Sequence, residues 1–315
     1  MATGRTQRTR RTPTLVMTGI TGRFGRMLAR ALRPDYRIIG VDPRGTAQVP
    51  QDIIVHPVDI RRKKAEDIFR RNQVDAVIHM NPTPAWKGNR AEHRSITLMG
   101  TRRILSYCQK YRVSKVIVLS SAALYGARPD NNQFLTEDAP LLGGYGFSTL
   151  RDLVEVDIYA TSFFWRHPEV DTVVLRPAHL VGRLGNTPSA YLQQRYTPTL
   201  LGFDPMMQVM SPEDLILAIQ LALKPGIRGV FNVAGPQPAP LSEIIRLCGH
   251  RPLPVFEPVA RALLGMAAGA GAAGIPAAQL EYLKYVCMVD DTQARQVLRY
   301  EPQLSLEETL RRVSS

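Results

Sequence analysis

Gly19, Gly22 and Gly25 recur at intervals of three in Thr18-Gly19-Ile20-Thr21-Gly22-Arg23-Phe24-Gly25, the spacing that a phosphate-binding turn requires. The first glycine permits a tight turn, the second lets backbone approach a pyrophosphate, and the third lets a helix pack closely on a strand. The free N–H groups at the start of that helix then face the anion with the positive end of the helix dipole. Asp42 ends the next apolar run, 23 residues after Gly19. A carboxylate there accepts hydrogen bonds from ribose hydroxyls and repels a 2′-phosphate, which favours NAD over NADP. Arg44 is the group that would serve a 2′-phosphate instead. Asp59 and Ile60 follow a third apolar run and are placed to meet an adenine, although an aspartate in that position also caps turns.

These residues need strands and helices to hold them, and the pattern supplies both. Val- and Ile-rich runs at 14–18, 37–41, 52–60, 75–80, 115–121 and 171–177 alternate with helix-like stretches at 24–32, 63–71, 89–110 and 148–166. Apolar runs without strict alternation, separated by helices, indicate a parallel sheet covered on both faces. Right-handed crossovers then make a doubly wound, Rossmann-type α/β fold. The predicted organisation is a disordered basic tail at 1–13, a dinucleotide-binding domain at 14–177, and a smaller, mainly C-terminal substrate lobe at 178–315. Segments near 207–235 are expected to return to the sheet. Helices are predicted at 212–223, 241–248, 291–298 and 305–313.

Composition narrows the function classes. The 315 residues are 44% apolar and 21% charged, ordinary globular values. Three scattered cysteines, Cys108, Cys248 and Cys287, suit a reducing compartment and leave no CxxC pair. No HExxH or Cys/His cluster occurs, so no metal site is predicted. The net charge of +13 is carried by 33 arginines and only seven lysines out of 40 basic residues. Such charge suits anionic ligands, but no aromatic-plus-basic nucleic-acid motif accompanies it. The tail at 1–13 has no apolar run, which is unlike a secretory signal, and a cytoplasmic location is expected. Residues 262–280 carry no charge for 19 positions. They fall short of a strong membrane span of about 20 apolar residues, but leave contact with a membrane surface open, and a homodimer is equally allowed.

The chain resembles the extended short-chain dehydrogenase/reductases, specifically the NAD-dependent epimerase/dehydratase family, over about residues 14–312. The turn at 18–25, VDAVIHM at 74–80, SSAALYG at 120–126, LRPAHLVG at 175–182 and DTQARQVLRYEP at 291–302 carry the likeness. The resemblance implies that Thr21, Arg23, Phe24, Met80, Asn81, Pro82 and Pro177 also line the cofactor. It implies Ser121 and Tyr145 as the groups that hold the reacting oxygen, Tyr145 acting as acid or base. The family's lysine, four residues after the tyrosine, is here Thr149. A free tyrosine has a pKa of about 10, so only about one in a thousand is ionised at pH 7, and a nearby cation normally relieves this. Thr149 supplies no charge, Asp152 would oppose ionisation if close, and His179 stands where the family often has asparagine and is a substitute acid or base. Arg128, Lys87 and Arg176 are the cations that folding could bring near. Two functions follow: NAD(P)-dependent oxidoreduction, epimerisation or dehydration at a hydroxyl or keto carbon of a small molecule, a nucleotide sugar among the options, or a non-catalytic NAD(P)-binding sensor or assembly subunit.

Overall fold

The computed structural model describes residues 11–45, 49–80, 90–145, 148–269 and 277–314. The first half runs β1 (Thr14–Thr18), α1 (Arg23–Leu32), β2 (Arg37–Val41), β3 (Ile54–His56), α2 (Lys63–Arg71) and β4 (Ala76–Met80). Next come α3 (Arg90–Arg94), a π turn (Ser95–Met99), α4 (Gly100–Lys110), β5 (Lys115–Leu119), a 3₁₀ turn (Ala122–Tyr125), α5 (Ser148–Arg166) and β6 (Asp171–Pro177). The lobe elements follow: β7 (His179–Leu180), α6 (Thr187–Leu192), β8 (Tyr196–Leu200), β9 (Met206–Met207) and β10 (Val209–Met210). The chain ends with α7 (Pro212–Ala222), β11 (Gly229–Val233), β12 (Ala239–Pro240), α8 (Leu241–Leu247), β13 (Arg251–Val255), α9 (Glu257–Gly269), a 3₁₀ stretch (Ala277–Leu283), a π turn (Ala294–Leu298) and α10 (Leu306–Ser314).

One parallel sheet of seven strands, in the order β3-β2-β1-β4-β5-β6-β11, organises the molecule. The order reverses between β1 and β4, and a crevice opens at such a point beyond the carboxyl ends of the strands. Burial on both faces explains the continuous apolar runs. Leu15 and Met17 of β1 pack with Leu28 of α1 and Ile219 of α7, while Val16 packs on the other face with Phe69, Leu105 and Phe163. The expected return to the sheet is made by β11, which pairs with β6 from Gly229↔Val173 to Val233↔Pro177.

The remaining elements form a lobe with its own core of Val181, Leu192, Leu241, Ile244, Leu310 and Val313. Its sheets are two-stranded, β7 with β10, β9 with β12 and β8 with β13. Within the stretch read as a basic tail, Arg11 pairs with Asp75 at 2.7 Å, and the Pro13 carbonyl accepts from Arg37. The uncharged stretch 262–280 is divided: α9 takes its first part, and 270–276 lie outside the described residues. Among the described residues no helix is long and apolar enough to cross a membrane.

Candidate active site

The turn after β1 has the geometry its glycines predict. Gly19 takes φ +67°, a left-handed conformation, and its backbone N–H donates to Val41 at 3.3 Å. A Cβ on Gly25 would lie 2.5 Å from the Gly19 carbonyl oxygen, so no larger residue fits there. Gly22 caps α1 and has no side chain to satisfy the first N–H groups of the helix, which leaves them for a phosphate. The Arg23 guanidinium reaches across to the Arg183 carbonyl at 3.4 Å and sets a cation at the rim. Phe24 instead packs against the core.

Asp42 is buried at the tip of β2, and both of its oxygens are engaged. It accepts from the Thr21 N–H (3.2 Å) and Oγ1 (2.7 Å), and from Arg44 N (3.1 Å), Nε (3.0 Å) and Nη2 (2.8 Å). Burial pushes its carboxyl pKa up, but the hydrogen bonds from Arg44 and Thr21 outweigh burial and hold it below the ordinary value. Arg44 is 61% exposed, so its guanidinium can swing out and give its place on the carboxylate to a ribose. Thr21 and Arg44 were legible as neighbours of the turn, but their closure onto Asp42 was not.

The other expected cofactor contacts divide. Met80 ends β4 beside the turn, its N–H donating to Thr18 Oγ1 at 3.0 Å. Pro177 is buried at the end of β6. Asn81, Pro82 and Lys87 lie outside the described residues. Asp59 is held by Arg61 through Nε and Nη2, and Arg61 continues to Ser95 at 2.9 Å. Ile60 is buried under Gly100, where a Cβ would meet its Cδ1 at 2.3 Å. Asp59 thus fixes a loop, and Ile60 fixes helix α4. Buried His79 links Thr18 (2.9 Å) and Thr101 (3.0 Å). The Thr101 hydroxyl is already donated to Thr97, so His79 donates from Nε2 and accepts at Nδ1. It braces β1, β4 and α4 behind the turn.

The second cluster lies beyond β5 and β6. Ser121 caps the 3₁₀ turn, its Oγ accepting from the Ala123 N–H at 3.1 Å. The Tyr145 loop docks on this same turn through backbone bonds, Gly143 to Leu124 (2.7 Å) and Leu142 to Tyr125 (3.2 Å). A Cβ on Gly143 would sit 2.4 Å from the Ala123 carbonyl. Gly143 is therefore the sequence signal for the close approach of the loop before Tyr145 to the turn that Ser121 caps. Tyr145 itself is 76% exposed. Thr149 stands in the first turn of α5.

Of the three candidate cations, Lys87 lies outside the described residues and the other two differ. Arg176 is buried and committed to Asp157 (2.6 Å), the Tyr125 hydroxyl (2.8 Å) and the Glu137 carbonyl (2.8 Å). Asp157 also accepts from Ser120, and Tyr125 donates to Asn232 at 2.8 Å, which makes a buried polar floor under the serine turn. Arg128 pairs with Asp130 at 3.0 Å and lies near enough to Tyr145 for the two to interact electrostatically. Asp152 is buried and bound by Arg94 at 2.5 Å. Two further residues complete the cluster. The Tyr282 hydroxyl donates to the Ala123 carbonyl at 2.6 Å, and its ring meets His179 edge-on at 6.1 Å. Desolvation pushes the His179 pKa below its ordinary value, so the imidazole is neutral at pH 7. Nothing in the local sequence marks Tyr282, because its contact spans 159 residues.

A model of the NAD dependent epimerase/dehydratase family matches residues 15–234. A Mycobacterium tuberculosis protein described as uncharacterized is 27% identical over 248 residues, 78% of this chain and 66% of its own length. This chain therefore spans slightly less than two thirds of that relative. A UDP-glucose 4-epimerase of Dictyostelium discoideum is 28% identical over 174 residues, 50% of this chain and 48% of that one. Among solved structures, a Thermotoga maritima UDP-glucose 4-epimerase with UDP-glucose superposes with a TM-score of 0.75 at 20% identity, covering 96% of this chain and 97% of the other. A Bacillus anthracis dTDP-glucose 4,6-dehydratase in complex with NAD gives 0.72 at 15% identity, covering 96% and 95%. These likenesses carry the fold, a Rossmann-type sheet with an appended lobe.

Proposed function

The chain belongs to the NAD dependent epimerase/dehydratase family, and we propose that it binds NAD on the turn at 18–25 and oxidises or reduces a carbinol or keto carbon held at Ser121 and Tyr145. The observation that carries this reading is the docking of the Tyr145 loop on the Ser121 turn at the carboxyl ends of the sheet, where ligands bind in this architecture. The residues present fit the cofactor: Gly22 leaves the helix N–H groups open, and Asp42 offers a carboxylate to a ribose once Arg44 moves aside.

Bound NAD supplies the acceptor for a hydride from a carbinol carbon, or in reduced form its donor. The protein's part is the oxygen and its proton. Ser121 Oγ already accepts from Ala123, so its own proton is free to be donated to the substrate oxygen. Tyr145 takes or gives the carbinol proton. With Thr149 in place of a lysine, Arg128 is a described cation near enough to act on Tyr145, and neutral His179 is a second proton carrier beside the cluster. The site is consequently atypical, and slow relative to one with a lysine.

The test is nicotinamide absorbance at 340 nm during incubation with hydroxy and keto substrates, in wild type and Tyr145→Phe. The proposal expects turnover in wild type and loss of most of it in Tyr145→Phe, with NADH binding unchanged. The alternative, a non-catalytic NAD-binding sensor or assembly subunit, is favoured by Thr149. It predicts NADH binding without turnover, and no gain when Thr149→Lys restores the cation.

A further inference from the structure

The Asp42 carboxylate is already full. Its two oxygens offer about four lone-pair positions, and five donors converge on them: the Thr21 N–H and Oγ1, and Arg44 N, Nε and Nη2. It is also covered, its side chain 1% exposed against 61% for the Arg44 side chain that pairs with it. A ribose hydroxyl therefore reaches the carboxylate only after the Arg44 guanidinium has left it. When the guanidinium leaves, both Thr21 donors and the Arg44 backbone N–H stay in place, so the carboxylate is not stranded.

The same guanidinium has donors to spare. Nε and one N–H of Nη2 are committed to Asp42, which leaves both N–H groups of Nη1 and the second of Nη2. It lies beside the phosphate turn, where a Cβ built on Gly22 would come within 3.9 Å of Nη2. A second cation stands close by. Arg26, in the first turn of α1, donates through Nη1 to the Thr21 carbonyl at 3.3 Å, and no ion pair holds it among the described residues. Arg26 and Arg44 around Thr21 face the single carboxylate of Asp42, so the site is net positive where Asp42 alone would make it net negative. Such surroundings suit a phosphate ester, which an arginine fork grips through two parallel hydrogen bonds. A ribose diol carries no charge and gains nothing from that fork.

Resting on the reading of the turn at 18–25 as the cofactor site, we infer that Arg44 sets the cofactor preference of this chain and admits NADP(H) as a second cofactor beside NAD(H). Arg44 stays on Asp42 and takes the 2′-phosphate of NADP(H) on its outer N–H groups, the pair cancelling the charge with which Asp42 would repel it. NAD(H), in contrast, has to displace the guanidinium before its ribose meets Asp42. The arginine thus opposes one cofactor and serves the other, which an ion pair with a purely structural role would not do.

The test titrates the full chain, wild type and Arg44→Ala, with NADH and with NADPH, and reads nicotinamide fluorescence. Wild type is expected to bind both, with affinities within about tenfold of each other. Arg44→Ala weakens NADPH about tenfold, the scale of one charged hydrogen bond, and tightens NADH about threefold, the scale of a half-exposed ion pair that no longer has to open. Adenosine 2′,5′-bisphosphate, which carries the phosphate without a nicotinamide, displaces NADH from wild type and does so about tenfold less well from the variant. Arg44→Lys keeps the charge but not the fork, moves each affinity in the same direction by less, and carries the test if the alanine variant fails to fold. The inference is overturned if wild type binds NADH but not NADPH, if the variants weaken both cofactors alike, or if they leave both unchanged. Wild type that binds neither cofactor overturns the reading of the turn itself, whereas NADH binding that persists without the crossed response counts against Arg44 alone.

Discussion

The two ends of the cleft are built from different materials. The cofactor end is local in sequence: one glycine-rich turn, the first helix N–H groups and Asp42, all within residues 18–44. The reaction end gathers 120–126, 142–149, 176–179 and 282 across the whole chain. The cofactor end works mainly through backbone, with the Asp42 carboxylate as its one side-chain addition. The proposed reaction end depends on side-chain chemistry, and the position four residues after Tyr145 holds the uncharged Thr149. Function is held in the site and not in the architecture, so the two ends can vary independently.

Substitutions break this comparison at either end. The largest effect is expected under the serine turn, where Asp157→Ala strands buried Arg176 without its partner. Loss of one member of a buried pair costs about 3–5 kcal/mol, and urea unfolding should show it. A stability change below about 1 kcal/mol would mean that the polar floor is not structural.

At the cofactor end, Gly25→Val forces a side chain into the Gly19 carbonyl. Overpacking of about 3 kcal/mol corresponds to a loss of roughly a hundredfold in NADH affinity, readable by nicotinamide fluorescence. Near-normal affinity would show that the close approach is dispensable. Asp42→Ala should be milder, weakening NAD about tenfold through lost charged hydrogen bonds and NADP less. Equal losses for both cofactors would remove Asp42 from the ribose.

The smallest effects concern pH, and the two ends have opposite signs. For Asp42, burial raises the pKa but hydrogen bonds from Arg44 and Thr21 overcome it, so the folded value is lowered. Its stabilisation is full above the unfolded carboxyl pKa of about 3.9 and is lost as pH falls through the folded value. For Glu137, burial raises the pKa, only partly offset by the Asn232 N–H. Its contribution is full below the unfolded value of about 4.3 and disappears as pH rises through the folded one. Asp42→Asn should therefore flatten the acid limb of a stability profile, whereas Glu137→Gln should gain on wild type above about pH 5. Parallel shifts in the two variants would contradict these environments.

What could be read from the sequence follows the same division. The strands of the sheet, the glycine turn and Asp42 are signalled by nearby residues, because periodicity and turn chemistry act over short distances. Helix α3–α4 was expected as one piece, and a π turn at Ser95–Met99 interrupts it. The closure of Arg44 on Asp42, the pairing of Asp152 with Arg94 and the arrival of Tyr282 at Ala123 depend on tertiary packing. Ile60 looked like an adenine contact from its place after a strand. Its burial under Gly100 depends on a helix 40 residues later in the chain.

The central claim is that the phosphate cradle is complete although the reaction end has lost its lysine. A titration of wild-type protein with NADH, followed by nicotinamide fluorescence beside Gly25→Val, tests it most directly. The account predicts saturable micromolar binding in wild type, at about the level of common cofactor affinities, and binding roughly a hundredfold weaker in Gly25→Val. Absence of binding in folded wild type, or equal binding in the two proteins, would contradict it.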